Sequence, residues 1–97
     1  MSNVSGGFIA FRAITVEEQE MFDRVMEMVM GVKYESFAVA TQVVSGTNYA
    51  FFCNALQVGK DEREAFNALV VIHKPLPGIN EPPSLLRISK AEVVEKG

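Results

Sequence analysis

The chain has 97 residues, 48% of them hydrophobic, and a formal net charge of −3 from nine basic and twelve acidic side chains. This predicts one globular domain over residues 1–97 and excludes a disordered chain. The basic residues form no dense patch and charges interrupt every apolar run, so we expect no nucleic-acid and no membrane binding. With a single cysteine, Cys53, and no stretch resembling a signal peptide, the expected location is cytoplasmic.

The chain opens with a predicted arm and then a helix. Residues 1–7 are small and polar and end in a glycine pair, which favours a flexible N-terminal trunk. Residues 8–14 are more apolar, and we expect an extended segment there or an extra strand. Thr15 and Glu18 have the spacing of a capping box, which predicts a helix start. The helix is expected to continue toward Gly31, its predicted C-terminal stop. Its apolar face consists of Phe22, Val25, Met26, Val29 and Val32.

Methionines are frequent in this helical stretch, at Met21, Met26, Met28 and Met30. Such a stripe can serve as an adaptable partner-binding surface, but methionines at helical spacing more often pack in a core. We expect packing against a sheet, with one of Met28 and Met30 at the rim.

Four strands are predicted after the helix, because alternating apolar residues replace the helical period. They cover residues 33–44, 49–56, 66–73 and 84–91. In the first strand, one face is expected to carry Phe37, Val39, Thr41 and Val43, and the other Tyr34, Ser36, Ala38 and Ala40. A charged loop over residues 57–64 and a proline-containing turn over residues 74–80 connect later strands. One helix followed by hairpin-connected strands predicts an α+β fold with an antiparallel sheet wrapped around the helix.

A strand, a tight reversal and a second strand are predicted for the stretch Gln42-Val43-Val44-Ser45-Gly46 and the following Thr47-Asn48-Tyr49. Gly46 supplies the positive φ that a hairpin tip needs. Val43 and Val44 would then be displayed where turns are usually polar, which is typical of a contact surface. The alternative is that both valines only pack within the hairpin.

Cys53 and His73 are the only pair of side chains suited to nucleophilic catalysis, and no third group is evident to orient them. We interpret Cys53 as a small buried hydrophobe and His73 as a solvent-facing residue near the second turn. No cysteine–histidine cluster has metal-ligand spacing, and no glycine loop is built to bind phosphate. The sequence therefore predicts no catalytic residues, no metal and no cofactor, and a protein that is not an enzyme.

Several segments, in the same order along the chain, resemble the cystatins, and specifically their stefin (type 1 cystatin) branch. Gly6-Gly7 resembles the family's N-terminal glycine pair, and residues 42–49 resemble its first hairpin. Leu76-Pro77-Gly78 is similar to its second hairpin, and residues 17–25 are similar to the opening of its helix. The resemblance implies a cystatin-like fold and a reversible, tight-binding inhibitor of papain-like, cathepsin-type cysteine proteases.

In that family the N-terminal trunk and two hairpins form a wedge that fills the protease cleft. Carried over to this sequence, the resemblance implies protease-binding residues Val4, Ser5, Gly6, Gly7, Gln42, Val43, Val44, Ser45, Gly46, Leu76, Pro77 and Gly78. Val4 would be the apolar anchor of the arm. The resemblance also implies a monomer that can form a domain-swapped dimer when the first hairpin opens.

The chain departs from the family pattern in length. The segment between the helix and the first hairpin is shorter than in stefins, and the loop at 57–64 is longer. The alternative function is that of a protein-interaction module with the cystatin fold and no inhibitory activity.

Overall fold

The computed structural model describes residues 7–57 and 65–91. They form one helix and four strands: α1 (Val16–Met26), β1 (Val32–Val44), β2 (Gly46–Gln57), β3 (Ala65–Lys74) and β4 (Ser84–Ala91). The strands make one antiparallel sheet in the order β1-β2-β3-β4, and this confirms the predicted α+β fold. Within the described residues no helix is long and apolar enough to cross a membrane. Residues 1–6 of the predicted arm, and 58–64 of the predicted loop, lie outside the described residues.

The helix begins with the predicted capping box. The Thr15 hydroxyl accepts from the Glu18 backbone N–H at 3.1 Å, and the Glu18 carboxylate accepts from the Thr15 N–H at 3.0 Å. Both carboxylate oxygens also accept from the Arg12 guanidinium, at 2.9 and 2.7 Å. Arg12 exchanges two backbone hydrogen bonds of 2.9 Å with Val39 in β1. The start of the helix is therefore tied to the edge of the sheet.

The helix ends at Met26, so the predicted extension toward Gly31 is wrong. The chain tightens into a turn in which the Val29 N–H donates to the Met26 carbonyl at 3.0 Å. Gly31 then adopts φ +89°, and β1 begins at Val32. Pairing with β2 from Val32 onward gives these backbone groups sheet partners in place of further helical ones.

The early end of the helix also determines which methionines reach the core. Met21 and Met26 pack against the core as predicted. Met28 and Met30 are 83% and 84% exposed, so two methionines lie outside the core where one was expected at the rim. Both follow the last helical residue, and the turn carries them away from the sheet.

The core lies between α1 and the inner face of the sheet. Phe22 of α1 packs on Phe51 of β2 with ring centroids 4.8 Å apart. Strands β1 to β3 complete the buried cluster with Val39, Cys53, Val70 and Ile72, each 0% exposed. The burial of Cys53 confirms its interpretation as a small hydrophobe.

The face prediction for β1 is wrong before residue 38, because a β-bulge interrupts the strand. The register shifts between Ser36 and Ala38 and leaves Phe37 without a partner in β2. Ser36 therefore lies on the helix side, where its hydroxyl donates to Gln19 Oε1 at 3.0 Å. Phe37 lies on the outer face, with its ring 4.8 Å from that of Phe52. One inserted residue reverses the alternation of every side chain before it, and Tyr34 likewise packs against the core.

Candidate functional site

Three segments of the chain meet at one end of the sheet. The N-terminal segment (residues 7–12) runs antiparallel along the edge of β1, where the Ile9 N–H donates to the Thr41 carbonyl at 2.8 Å. The first hairpin (residues 42–47) joins β1 to β2. The second loop (residues 75–83) leaves β3 at Lys74, which pairs with Thr47 beside the first hairpin. The segments therefore follow one another across the sheet end in this order.

The first hairpin exposes its two valines, as predicted. Val44 faces Gly46 across the single residue Ser45, so the reversal is very tight. Val43 is 80% exposed and Val44 is 41% exposed. Apolar side chains held at a tip in this way lose contact with water when a partner covers them, which favours binding.

Gly46 is buried, although it lies at the hairpin tip, and its backbone has φ +105°. A Cβ atom there would overlap the carbonyl oxygen of Lys74 and would lie 3.1 Å from Cα of Pro75. Only glycine therefore lets the first hairpin approach the start of the second loop this closely. The sequence predicted the need for a positive φ at Gly46; the close approach depends on the pairing of β2 with β3.

The second loop is held in a β-turn. The Ile79 N–H donates to the Leu76 carbonyl at 3.1 Å. Pro77 occupies the second position of the turn, and Gly78 the third with φ +95°, which is the pattern of a type II turn. Leu76 and Ile79 are 44% and 49% exposed, so this loop also presents apolar side chains.

A ladder of hydrogen-bonded side chains crosses β1, β2 and β3 just behind the first hairpin. Asn48 Nδ2 donates to Gln42 Oε1 at 2.9 Å, and Asn48 Oδ1 lies 2.8 Å from His73 Nδ1. His73 lies on the outer face of the sheet, as predicted, but it is half-buried rather than fully exposed. The three side chains become neighbours only through the register that pairs Gln42 with Asn48 and Asn48 with His73.

The predicted binding residues that the structure describes fall into exposed and packed groups. Val43, Val44, Ser45, Leu76, Pro77 and Gly78 are exposed, as is Gly7 with φ +84°. Gln42 is half-buried in the ladder and Gly46 is buried, so these two support the tips. Val4, Ser5 and Gly6 lie outside the described residues.

The inner face of the sheet holds Cys53 away from the candidate site. Its side chain is 0% exposed, and burial raises the pKa of the thiol to about 12, so the reactive thiolate is not formed at neutral pH. His73 lies on the outer face with Asn48, so the two side chains cannot act as a pair. Among residues 7–57 and 65–91, no group of three or more histidine, cysteine, aspartate or glutamate side chains is placed to hold a metal ion.

A separate open groove of about 850 Å³ lies between α1 and the start of β4. Its apolar lining includes Met21 and Val25 of the helix, Pro82 and Pro83 at the end of the second loop, and Leu85 of β4. None of the exposed tip residues of the first hairpin or the second loop lines this groove. The groove therefore adjoins the end of the second loop but is separate from the two exposed tips.

A single helix on one face of an antiparallel sheet, with two loops and an N-terminal segment gathered at one end, defines a cystatin-like protein. A secreted type 1 cystatin from Fasciola hepatica has a similar structure, with a TM-score of 0.65 and 27% sequence identity over 92% of this chain and 99% of that one. The resemblance to the cystatins is thereby confirmed, and the relative's type 1 description supports the stefin branch. No protein-family model and no curated protein sequence matches this chain.

Proposed function

We propose that this protein is a reversible, tight-binding inhibitor of papain-like cysteine proteases. The N-terminal arm, the first hairpin and the second loop would enter the protease cleft together as one wedge. The observation that carries this proposal is the packing of Gly46 against Lys74, which places two apolar-tipped loops side by side at one sheet end. Similarity to a type 1 cystatin supports the same class of function.

The exposed apolar side chains of the two loops are suited to a cleft. Val43, Val44, Leu76 and Ile79 are all more than two-fifths exposed in the free protein. Both loops are held by backbone pairing or by a turn hydrogen bond, so little conformational freedom is lost on binding. A pre-organised wedge of this kind favours slow dissociation from an interface of roughly 800 Å² per partner.

The tight reversal at Ser45 suits an inhibitor better than a substrate. Val44 and Gly46 are paired with each other, so the chain folds back at the tip and cannot lie extended through an active site. We therefore expect the hairpin to occupy the cleft and to remain uncut.

Titration of papain with the full chain tests this function. Activity should fall linearly to near zero at one inhibitor per active enzyme, and mass spectrometry should recover the inhibitor intact. Full protease activity in the presence of excess protein would favour the alternative, an interaction module without inhibition. Cleavage between Val43 and Gly46 would identify a substrate.

We further propose that the active form is a cytoplasmic monomer, with cathepsin-type proteases as partners. The type 1 cystatin from Fasciola hepatica is described as secreted, so fractionation of producing cells and their medium is a direct test of location. Size-exclusion chromatography with inhibition assays on each peak tests the monomer. A domain-swapped dimer would straighten the first hairpin and should be inactive.

A further inference from the structure

We propose that His73 is a positioning residue that holds the second loop in register with the first hairpin through Asn48 and Gln42. The proposal rests on the proposed inhibitory function and names the side chains that set the geometry of its wedge. His73 precedes Lys74, the last residue of β3, so its side chain is anchored one residue before the end of the strand from which the second loop leaves.

The hydrogen bonds of the ladder have a defined direction. The amide nitrogen of Asn48 donates to Gln42, so its oxygen faces His73. In this orientation of the Asn48 amide, the oxygen at 2.8 Å accepts a hydrogen from His73 Nδ1. The ladder therefore selects the Nδ1–H form of the neutral imidazole, because the partner of one ring nitrogen decides which nitrogen is protonated.

The imidazole ring also packs against the first hairpin directly. Its Cε1 atom lies 3.1 Å from the position that a Cβ would take on Gly46. His73 thus touches the tip of one hairpin, bonds to the strand behind that tip and leads into the other loop. His73 therefore combines a side-chain hydrogen bond to β2 with ring packing beside Gly46.

The same pair of strands supplies a matched control. Asn67 in β3 donates to Asn54 Oδ1 in β2 at 3.0 Å, on the same outer face and away from the loops. Both bonds join side chains of directly paired residues in β2 and β3. Loss of the Asn67 bond should affect the sheet and leave the relative position of the loops unchanged.

The first test measures the tautomer of His73 in the unmodified chain. Because the chain has a single histidine, long-range ¹H–¹⁵N NMR spectra assign the imidazole without ambiguity. At a pH where the ring is neutral we expect the Nδ1–H form and a nuclear Overhauser effect between the ring Hε1 and the Gly46 Hα. A predominant Nε2–H form would overturn the proposal.

The second test measures inhibition of papain by variants. His73→Phe keeps a ring beside Gly46 and removes the donor, and the loss of one hydrogen bond should speed dissociation about fivefold. His73→Asn keeps a nitrogen at the place of Nδ1 and should remain within about twofold of the unmodified rate, and so should Asn67→Ala. Equal dissociation rates for His73→Phe and the unmodified chain, or the same loss in Asn67→Ala, would refute the positioning role.

The two tests separate this proposal from the inhibitory function. If the unmodified chain fails to inhibit papain, the proposed function fails. The positioning of the loops is then decided by the NMR data alone: a Nδ1–H ring in contact with Gly46 upholds it, and the absence of that contact refutes it. Because this measurement uses the unmodified chain, it does not depend on whether the variants fold.

Discussion

The α-carbon of Gly46 lies so close to the backbone carbonyl of Lys74 that no side chain fits between them. This contact joins the tip of the first hairpin to the start of the second loop through main-chain atoms. Because both partners are main-chain atoms, the spacing of the two loops at this point does not depend on a side-chain rotamer. The proposed wedge depends on this relationship more than on any single exposed residue.

Replacing Gly46 by alanine should destabilise the protein more than the same change at Gly78. Both glycines have a positive φ, of +105° and +95°, so alanine costs about 1–2 kcal/mol at either site. Only Gly46 is crowded, since a Cβ on Gly78 meets nothing within 4 Å. The clash should add about 1–3 kcal/mol at Gly46. Urea denaturation of both variants measures the difference. Equal losses in the free energy of unfolding would show that a methyl group at position 46 does not clash with Lys74.

The valine at the first hairpin tip should carry binding energy. Val43→Asp should raise the Kd for papain by about tenfold or more, since it replaces a buried apolar contact of about 1.5 kcal/mol by a charge in the cleft. Val16→Asp is the control, because Val16 is 71% exposed but lies at the helix start, where an acidic residue is favourable. A similar Kd for the two variants would show that Val43 does not contribute to protease binding.

Removal of residues 1–6 should weaken inhibition mainly through faster dissociation. The truncated chain keeps the hydrogen bond from Ile9 to Thr41 and the pairing of Arg12 with Val39, so the sheet edge is preserved. Association rates should change by less than about threefold, because affinity differences among related complexes lie mostly in dissociation. Stopped-flow association and competition-based dissociation rates test this, and equal dissociation rates would argue against a role for the arm.

The ion pair between Arg12 and Glu18 should make stability depend on pH in the acid range. Hydrogen bonds from Arg12 lower the pKa of Glu18 from 4.5 to about 2. The carboxylate therefore contributes stability that is fully present above about pH 4.5 and is lost as the pH falls toward 2. The stability difference between the unmodified chain and Glu18→Gln should shrink over this interval, as measured by denaturation at pH 5, 4, 3 and 2.

Glu17→Gln is a suitable control for the pH series, because Glu17 lies beside Glu18 in the first turn without the contact to Arg12. Its stability difference from the unmodified chain should change less over the same interval than that of Glu18→Gln, because no contact to Arg12 is lost. A parallel loss in both variants would show that the Arg12 contact is not the cause.

Cys53 should resist thiol reagents in the folded protein. The side chain is fully buried and burial raises the pKa of its thiol to about 12, so both access and ionisation are suppressed at pH 8. Reaction with Ellman's reagent should release one equivalent per chain only in denaturant. Rapid labelling of the folded protein would contradict the buried position of Cys53 and would show that its thiol is accessible enough to act as a nucleophile.

Much of the fold was predictable because it depends on residues close together in the chain. The capping box of Thr15 and Glu18 needs only a spacing of three residues. The four strands and the exposed valines follow from alternation and from the glycine at the hairpin tip. The resemblance to cystatins came from short segments of the same kind, and the structural similarity to a type 1 cystatin confirms it.

The errors have a shared cause, which is competition between local preference and pairing at long range. The apolar period favoured a helix beyond Met26, but the residues from Val32 onward pair with β2 instead. The alternation in β1 gave no sign of the bulge at Phe37, which reverses the faces of Tyr34 and Ser36. The hydrogen bond of His73 was not predicted, because its partner Asn48 lies 25 positions away in the chain.

The sequence by itself determined which elements form and which side chains stand at the hairpin tip, since these depend on local backbone preference and hydrophobic pattern. The tertiary structure alone decided how the site is assembled. Strand register sets Gly46 against Lys74 and aligns Gln42, Asn48 and His73 across three strands. Register is a cooperative property of paired strands, because a shift by one residue would move every side chain to the opposite face. No local segment of this chain contains that information.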